Sequence, residues 1–315
     1  MTVRLPVVRH GRPYESMEQV EVCDARTGET LATIDQANPG LVARDLRRWP
    51  HVETPPTSQM QTILRRAAER LLDPSDSEYT ATVERTAGTT GLTQKQVQAQ
   101  VNRLAKALDR LAEVAQTRSP PCPPMAFVLP SNAPGVHASW LTAIALGFPV
   151  ALKPGSREPW FPAWLSRVLW DAGLPEAMIG LYAGNHTTAQ TMVETAAATV
   201  LFGDDATVDR YRDAPSVDVR GPGRSKALVS RRAASDASLI ASLATAVSEF
   251  AGRSCLNTSS IGIVGGTPED AARLANLMLT LQAQLDAVSQ QIDVSEAGAH
   301  GVLRVDPPLA RAEAL

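Results

Sequence analysis

The feature that most constrains this fold is an alternation of short apolar runs with helical patterns, which begins at residue 125. Apolar runs occupy residues 125–129, 149–152, 178–182, 199–202, 227–230 and 258–264, and helical periodicity marks residues 135–146, 160–172, 188–197, 236–250 and 268–288. Strands that alternate with helices predict βαβ units and a parallel sheet. Such a sheet binds ligands at the carboxyl ends of its strands. The predicted fold class is therefore α/β, with a ligand site at these strand ends.

The region before residue 125 has a different pattern. Residues 20–23 and 30–34 flank the turn-like Asp24-Ala25-Arg26-Thr27-Gly28, which predicts a small hairpin. Helical patterns follow at residues 60–72, 78–87 and 93–116, and Ser58 is the predicted N-cap of the first of these helices. The proline-rich residues 119–124 then end helical structure.

Composition excludes several classes of function. The net charge is −3 and no basic residues cluster into a stripe, which argues against nucleic-acid binding. Residues 1–13 lack the apolar core of a signal peptide, and the most apolar stretch, residues 140–152, is too short for a membrane span. The three cysteines are widely spaced and form no metal-binding pattern. We therefore expect a cytoplasmic protein with no structural metal.

Six short segments carry the functional signal, and each of them is weak when taken alone. Asn132 between two prolines is ordinarily a turn residue, and a single cysteine such as Cys255 is ordinarily a small buried side chain. Their order along the chain is more specific than any one of them. The segments are Pro130-Ser131-Asn132-Ala133-Pro134, Ala151-Leu152-Lys153-Pro154, Ala172-Gly173-Leu174-Pro175, Val200-Leu201-Phe202-Gly203, Gly221-Pro222-Gly223-Arg224-Ser225-Lys226-Ala227-Leu228-Val229 and Phe250-Ala251-Gly252-Arg253-Ser254-Cys255.

In this order the segments resemble those of the aldehyde dehydrogenase superfamily. Their counterparts there read Pro-Trp-Asn-x-Pro, Lys-Pro, Ala-Gly-Leu-Pro, Phe-x-Gly-Ser, Gly-Gly-Lys-Ser-Pro and Gly-Gln-x-Cys. The resemblance implies a Rossmann-type parallel sheet with helices on both faces, followed by a partial catalytic domain. It implies a cofactor-binding domain at residues 1–228 and a catalytic segment at residues 229–315.

The resemblance also implies roles for single residues. Cys255 would be the thiolate nucleophile, and Asn132 would donate its amide to the developing oxyanion together with the Cys255 backbone N–H. Lys153 would bind the adenosine ribose of NAD or NADP, and Gly203 would allow a turn near the pyrophosphate. Pro130 at the first strand end is included with the cofactor-binding residues. His137 lies in the predicted helix after Asn132, where a lone histidine is more often a packed or a surface residue, so it is not predicted to act as a base.

Departures from the family pattern refine the expected reaction. Hydrolytic members carry a glutamate just before the Gly-Gly-Lys segment, whereas residues 219–223 contain no carboxylate. Attack by water on an acyl-enzyme should therefore be slow, which favours the CoA-acylating branch and a CoA thioester as substrate. Ser156 stands where NAD-preferring relatives carry a ribose-binding glutamate, and with Arg157 beside it this favours NADP. Asp204 after Gly203 would repel a pyrophosphate.

Three hypotheses remain open at this stage. The leading one is an NAD(P)-dependent acyl-CoA reductase or CoA-acylating aldehyde dehydrogenase that acts on a small-molecule aldehyde or acyl thioester. The second is a catalytically impaired relative that acts as a binding or scaffold subunit, and the third is a hydrolytic aldehyde dehydrogenase. Sixty residues follow Cys255, and the Glu-x-Phe-Gly-Pro segment of relatives is not found among them. The missing segment is compatible with a shortened or a replaced C-terminus, or with completion by a partner subunit. A homo-oligomer is also compatible with it.

Overall fold

The computed structural model describes residues 3–117, 122–131, 134–252, 254–284, 293–297 and 302–306. They form two compact units, Met1–Arg220 and Gly221–Leu315. The predicted boundary, between residues 228 and 229, falls later than the observed one because Ser225–Ser230 is a strand that pairs within the second unit. The assignment of cofactor binding to residues 1–228 and of catalysis to residues 229–315 stays a prediction.

Within the described residues, the first unit holds ten strands and eight α-helices. The strands are β1 (Val3–Leu5), β2 (Val7–Arg9), β3 (Arg12–Tyr14), β4 (Gln19–Cys23), β5 (Thr30–Asp35), β6 (Met125–Val128), β7 (Val150–Lys153), β8 (Ile179–Leu181), β9 (Ala198–Phe202) and β10 (Val217–Arg220). The helices are α1 (Pro39–Arg47), α2 (Thr57–Leu71), α3 (Ser77–Thr90), α4 (Gln94–Val114), α5 (Ala138–Ala145), α6 (Trp160–Asp171), α7 (His186–Thr195) and α8 (Asp205–Tyr211).

Seven of these strands form one sheet in the order β10-β9-β6-β7-β8-β2-β3. The first five are parallel, whereas β2 runs antiparallel to β8 and β3 antiparallel to β2. Within the parallel part of the sheet, the chain begins at β6, runs outward through β7 to β8, and then returns to β9 on the other side of β6. Strand order therefore reverses between β6 and β9, and an open α/β sheet binds its ligand at such a reversal. The predicted hairpin is confirmed as the antiparallel pair β4–β5.

Alternate residues of the parallel strands face two different helical layers. Phe127, Leu152 and Leu181 join a core with side chains of α2, α4, α5 and α6. Ala126 and Ala151 face the other way and join a core with α1 and α7. Each large apolar side chain that is fully buried in this way stabilises the fold by about 1.5–3 kcal/mol. The predicted Rossmann-type sheet with helices on both faces is confirmed.

The starts of helices α4 and α2 differ in how well they match the local signals in the sequence. Helix α4 begins after Thr93, whose hydroxyl accepts from the Gln96 backbone N–H while the Gln96 side chain accepts from the Thr93 N–H, a capping box. The predicted N-cap Ser58 is wrong. Helix α2 already begins at Thr57 after Pro56, without a side-chain cap, because its stability comes from its buried apolar face.

The second unit is built on a four-stranded sheet. Its elements are β11 (Ser225–Ser230), α9 (Ala237–Ser248), β12 (Thr258–Val264), α10 (Pro268–Gln284), β13 (Asp293–Ala297) and β14 (Val302–Asp306). The strand order is β11-β12-β14-β13, with β11 and β12 parallel. Val229, Ile240, Ile261 and Leu274 are among the side chains that pack the two helices against the sheet. No helix among the residues described here is both long enough and apolar enough to cross a bilayer.

Candidate active site

The carboxyl edge of the first unit brings several of the predicted residues together. Val128 of β6 pairs with Lys153 of β7 and with Leu201 of β9. Pro130 and Gly203 each follow two residues later on neighbouring strands, so they lie at the same level on either side of the reversal in strand order. The backbone N–H of Gly203 donates to the Arg220 carbonyl at 3.1 Å. The predicted cofactor residues therefore share one edge of the sheet.

Lys153 is the most unusual charged group at this edge. Its side chain is 8% exposed, and the only acceptor near its Nζ among the described residues is the Pro154 carbonyl oxygen at 3.4 Å. Burial lowers the pKa of Lys153 below its ordinary value because desolvation penalises the charged form. An ammonium group has three N–H donors, so most of its hydrogen-bonding capacity is available to a hydroxyl or phosphate oxygen.

The loop after Lys153 is held closely against the end of β6. A Cβ added to Gly155 would lie 2.7 Å from the Pro130 carbonyl carbon and from the Ser131 nitrogen, so only glycine fits there. The backbone N–H of Arg157 donates to the Ser131 hydroxyl at 3.1 Å. Ser156 and Arg157 are both exposed, and no carboxylate stands at either position. The geometry leaves this loop accessible to an anionic ligand.

A buried polar cluster anchors the far end of the same loop. One carboxylate oxygen of Glu158 accepts from the Thr86 hydroxyl at 3.2 Å and from the Phe161 N–H at 3.0 Å. The other lies 3.6 Å from Nε2 of His137, whose Nδ1 accepts the Trp140 indole N–H at 3.0 Å. His137 also stacks on Phe161 and is 1% exposed. Of the packed and surface positions left open for His137, the structure shows the packed one.

The turn after β9 carries Gly203 and Asp204. Asp204 is the N-cap of α8, and its carboxylate accepts the Thr207 backbone N–H at 2.8 Å and the Thr207 hydroxyl at 2.7 Å. The Thr207 hydroxyl and backbone N–H lower the pKa of Asp204, so the side chain is charged at neutral pH. The positive end of the helix is thereby neutralised by the chain itself.

In the second unit, the glycine segment and the predicted nucleophile are in direct backbone contact. A Cβ added to Gly223 would lie 2.7 Å from the Cα of Cys255 and closer still to its carbonyl carbon and oxygen. Any side chain at residue 223 would displace the Cys255 backbone, because real Cβ atoms do not approach this closely. Cys255 itself is exposed and carries a free thiol. Two of the six sequence segments therefore meet at the Cys255 backbone.

Asn257 fixes the loop that carries Cys255, a role for which no local pattern in the sequence gives a signal. Its Nδ2 lies 2.8–3.2 Å from the carbonyl oxygens of Ala246, Val247 and Glu249 at the end of α9. Its Oδ1 accepts the Ser254 N–H at 2.8 Å, and its own N–H donates to the Ser254 carbonyl at 2.9 Å. Helix ends leave carbonyl groups without partners, and Asn257 satisfies them here. The residues on both sides of Cys255 are thus tied to a rigid helix.

The carboxylate that precedes the glycine segment most closely is Asp218. It lies on β10 in the first unit, where it accepts two hydrogen bonds from Arg220 at 2.9 and 3.1 Å. The Arg220 guanidinium also lies 5.6 Å from the centre of the Phe202 ring. Asp218 is therefore occupied by an ion pair with its neighbour on the same strand. Asn132 and its neighbour Ala133 lie outside the described residues, so the predicted oxyanion donor stays a prediction.

Comparison with known proteins gives one family. A family model described as the aldehyde dehydrogenase family matches residues 12–290, which is more than half of the chain. No curated protein matches the sequence.

Solved structures of similar fold cover most of the chain. An NAD-dependent aldehyde dehydrogenase from Sinorhizobium meliloti has a TM-score of 0.73 at 17% identity, covering 90% of this chain and 62% of the other. Methylmalonate-semialdehyde dehydrogenase from Oceanimonas doudoroffii has a TM-score of 0.74 at 18% identity, and the match covers 90% of this chain and 63% of the other. NADP-dependent glyceraldehyde-3-phosphate dehydrogenase from Bacillus halodurans, complexed with NADP, has a TM-score of 0.72 at 17% identity, and the match covers 90% of this chain and 65% of the other. The chain thus spans less than two thirds of the length of these neighbours.

Proposed function

Because the chain belongs to the aldehyde dehydrogenase family, we propose that it is an NAD(P)-dependent oxidoreductase that interconverts an aldehyde and an acyl-CoA thioester through Cys255. One observation carries the proposal. Gly223 packs against the backbone of Cys255, whose thiol is exposed, and residues 219–223 supply no carboxylate. A nucleophile is thus present without the general base that hydrolysis by water requires.

The chemical step in the direction of reduction begins at the Cys255 thiolate. The thiolate attacks the carbonyl carbon of the acyl-CoA, the new C–S bond forms, and the CoA thiolate leaves, which gives an acyl thioester on Cys255. A bound nicotinamide cofactor would supply hydride to the thioester carbon in this direction and accept it in the other. Collapse of the resulting thiohemiacetal releases the aldehyde and returns the electron pair of the C–S bond to the Cys255 sulfur. The role of Asn132 as oxyanion donor remains part of the proposal and rests on the sequence resemblance.

The residues of the first unit fit the nucleoside portion of a dinucleotide. Within the described residues, Lys153 keeps a buried ammonium group with a single acceptor, its own neighbour's carbonyl, so a ribose hydroxyl would complete its hydrogen bonding. Gly155 lets the loop lie against the end of β6, and exposed Ser156 and Arg157 tolerate a phosphate on that ribose, which favours NADP. Pro130 and Gly203 border the reversal in strand order where such a ligand binds.

A second candidate function is supported by Asp204. Its ionised carboxylate lies at the start of α8, where a helix N-terminus would otherwise favour a phosphate group. This charge opposes pyrophosphate binding, and an impaired relative that acts as a binding or scaffold subunit would tolerate it. Hydrolytic aldehyde oxidation is disfavoured by the missing base. Either a homo-oligomeric state or association with a partner subunit, and a reducing cytoplasmic location, are further parts of the proposal.

Absorbance of the reduced cofactor discriminates among these functions. The protein is assayed with an aldehyde plus CoA, with the aldehyde alone, and in each case as the Cys255→Ala variant beside Cys23→Ser. We expect CoA-dependent turnover that Cys255→Ala abolishes and Cys23→Ser retains. Oxidation without CoA would favour the hydrolytic function. Absence of cofactor binding by calorimetry together with absence of Cys255-dependent turnover would contradict the proposal and favour the scaffold function.

A further inference from the structure

A cavity lies beside the central sheet, and Pro154 of the loop after Lys153 is among the residues that line it. It has a volume of about 320 Å³ and is lined by residues of β1, β2, β5 and β8, by residues of helices α3 and α6, and by the loop residues Pro154, Pro159 and Ala183. Leu181 in its wall faces the same core as Leu152, whereas Lys153, the next residue along β7, faces the opposite layer. The proposed reaction assigns no role to the side chains that line this cavity. Its volume is at the small end of the range for ligand pockets, roughly 300–1,000 Å³.

The walls of the cavity are mainly apolar. Val3, Leu5, Val8 and Ile34 come from the N-terminal strands, and the indole ring of Trp160 faces them from α6. Apolar walls with a few polar groups are typical of a site for a compact organic molecule rather than for an inorganic ion. The body of a matching ligand is therefore aliphatic or aromatic.

The charges at the cavity do not balance. Arg4 is paired with Asp35 at 3.0 Å and with Glu15 at 2.9 Å. Arg167 is paired with Glu78. A third guanidinium, that of Arg85, has no carboxylate partner within the described part of the chain and lies over the Trp160 ring at 5.6 Å from its centre. The cavity thus keeps one positive charge that these residues do not neutralise.

Two further donors at the cavity are also without acceptors. The indole Nε1 atoms of Trp160 and Trp170 are buried and have no hydrogen-bond partner in the described residues. Trp160 as a whole is 3% exposed. A buried N–H without an acceptor is unfavourable, and it is uncommon in folded proteins. A guanidinium and two indole N–H groups are donors only, so the ligand that suits them must bring acceptor oxygens.

We propose that this cavity is a binding site for a small carboxylic acid with an apolar body, separate from the Cys255 chemistry. The carboxylate binds the Arg85 guanidinium and accepts from the Trp160 indole N–H, and the body contacts the apolar wall. A carboxylate matches the planar fork of arginine with two parallel hydrogen bonds. A free phosphate would offer the charge but would leave the apolar wall uncovered.

The test measures binding to the whole protein by calorimetry with 4-phenylbutyrate as the probe. The matched uncharged probe is 4-phenylbutan-1-ol, and inorganic phosphate provides an anion without an apolar body. We expect saturable binding of the acid, binding of the alcohol weaker by about tenfold, and no binding of phosphate. Arg85→Gln should remove the preference for the acid, whereas Arg110→Gln, on the exposed side of α4, should leave it unchanged.

A second variant keeps the test decisive if Arg85→Gln folds poorly. Ala163 lines the cavity on α6, and Ala163→Phe places a ring inside it. We expect this variant to fold, as judged by circular dichroism, and to lose binding of both organic probes. Protein alkylated at Cys255 should still bind the acid. No saturable binding of 4-phenylbutyrate, binding that Ala163→Phe leaves intact, or binding lost on alkylation of Cys255 would each overturn the proposal.

Discussion

Around Lys153, the chain holds its functional groups in place by burial, whereas around Cys255 it does so at the surface by hydrogen bonds and backbone contact. The Lys153 side chain is 8% exposed and extends from the last residue of a central strand. The Cys255 thiol is exposed, and its loop is held by Asn257 on one side and by Gly223 on another. Changes in the first region should therefore alter stability and ligand affinity, and changes in the second should alter the reactivity of the thiol.

This difference also explains why one region was easier to predict. Strand β7 is an apolar run that ends in a lysine, and both features are local in the sequence. The role of Asn257 depends on carbonyl groups of α9 that reach it only after the chain has folded back. A local pattern therefore finds the charged group at a strand end but misses the residue that holds a loop.

The largest effect is expected from Gly223→Ala. The added methyl group would overlap the Cys255 backbone, so the two segments must separate, at a cost of about 3 kcal/mol in the free energy of unfolding. Alkylation of Cys255 by iodoacetamide should then change strongly in rate, and turnover should be lost.

Gly265→Ala is the control, because Gly265 has φ +69° and a Cβ added there would meet no atom within 4 Å among the described residues. The control should lose about 1 kcal/mol of stability and keep thiol reactivity. Equal changes in stability and in thiol reactivity in the two variants would contradict the role given to backbone contact around Cys255.

A somewhat smaller effect is expected from Asn257→Ala. The variant removes the side chain that satisfies the end of α9 and the Ser254 N–H, which should cost about 2 kcal/mol. Asn257→Asp should not rescue it, because a carboxylate cannot donate to the three carbonyl oxygens. Asn276→Ala on the exposed face of α10 should change stability by less than about 0.5 kcal/mol. Urea unfolding and the alkylation rate of Cys255 are the measurements, and an unchanged rate in Asn257→Ala would contradict the positioning role.

For the buried region, Lys153→Met should raise stability while it weakens cofactor binding. Methionine fills the same space without a buried charge, so the variant should gain about 1 kcal/mol at neutral pH. Burial lowers the pKa of Lys153 in the folded protein below its ordinary value of 10.5. At pH values between the lowered pKa and 10.5, the folded state therefore binds fewer protons than the unfolded chain. Stability of the unaltered protein therefore rises with pH through that window, and the advantage of the variant shrinks.

Urea unfolding at neutral and at alkaline pH checks the stability effect, and calorimetry with NADP checks the affinity, which should fall by about tenfold. Lys95→Met, on the exposed side of α4, is the matched control and should change neither quantity. A Lys153→Met variant that is less stable at neutral pH, or that binds NADP equally well, would contradict the interpretation of this region.

The smallest effect is expected from Asp204→Asn. Asparagine keeps the N-cap hydrogen bonds of α8 and removes the charge that opposes a pyrophosphate, so affinity for NADP should rise about threefold. Asp209→Asn removes a charge from the same helix, where it pairs with Arg212, and should have a weaker effect. Calorimetry at low ionic strength gives the largest contrast, because salt screens exposed charges. An unchanged affinity would show that Asp204 does not face the cofactor.

The sequence predicted the central sheet well and its periphery poorly. Strands β6, β7 and β9 are short apolar runs, and burial on both faces produces that pattern. Helix α1 was missed because Asn38-Pro39-Gly40 suggests a turn, although here Asn38 caps the helix and proline occupies its first turn. Helix α8 buries no residue, and β10 alternates between partly buried and exposed positions at the edge of the sheet, so neither has a strong apolar signal.

The candidate site was likewise predictable only in part. Lys153, Gly203 and Pro130 meet at one edge because strand ends are easy to locate from apolar runs. Contact between Gly223 and Cys255 was not predicted, because no local rule in the sequence joins two segments so far apart. Neither the Glu158 cluster nor the placement of the Arg85 guanidinium over Trp160 has a local signal, because each depends on residues far apart in the chain.

Trapping of an acyl group on the protein tests the central claim most directly. The unaltered protein is incubated without cofactor in acetyl-CoA, butyryl-CoA or palmitoyl-CoA, and its intact mass is measured before and after digestion to locate the adduct. The proposed function predicts that one acyl group is added at Cys255 by at least one of these thioesters. The adduct should persist in Cys23→Ser and in Cys122→Ser and should be absent in Cys255→Ala. No adduct with any of the three, or an equal adduct in Cys255→Ala, would contradict the assignment of Cys255 as the nucleophile.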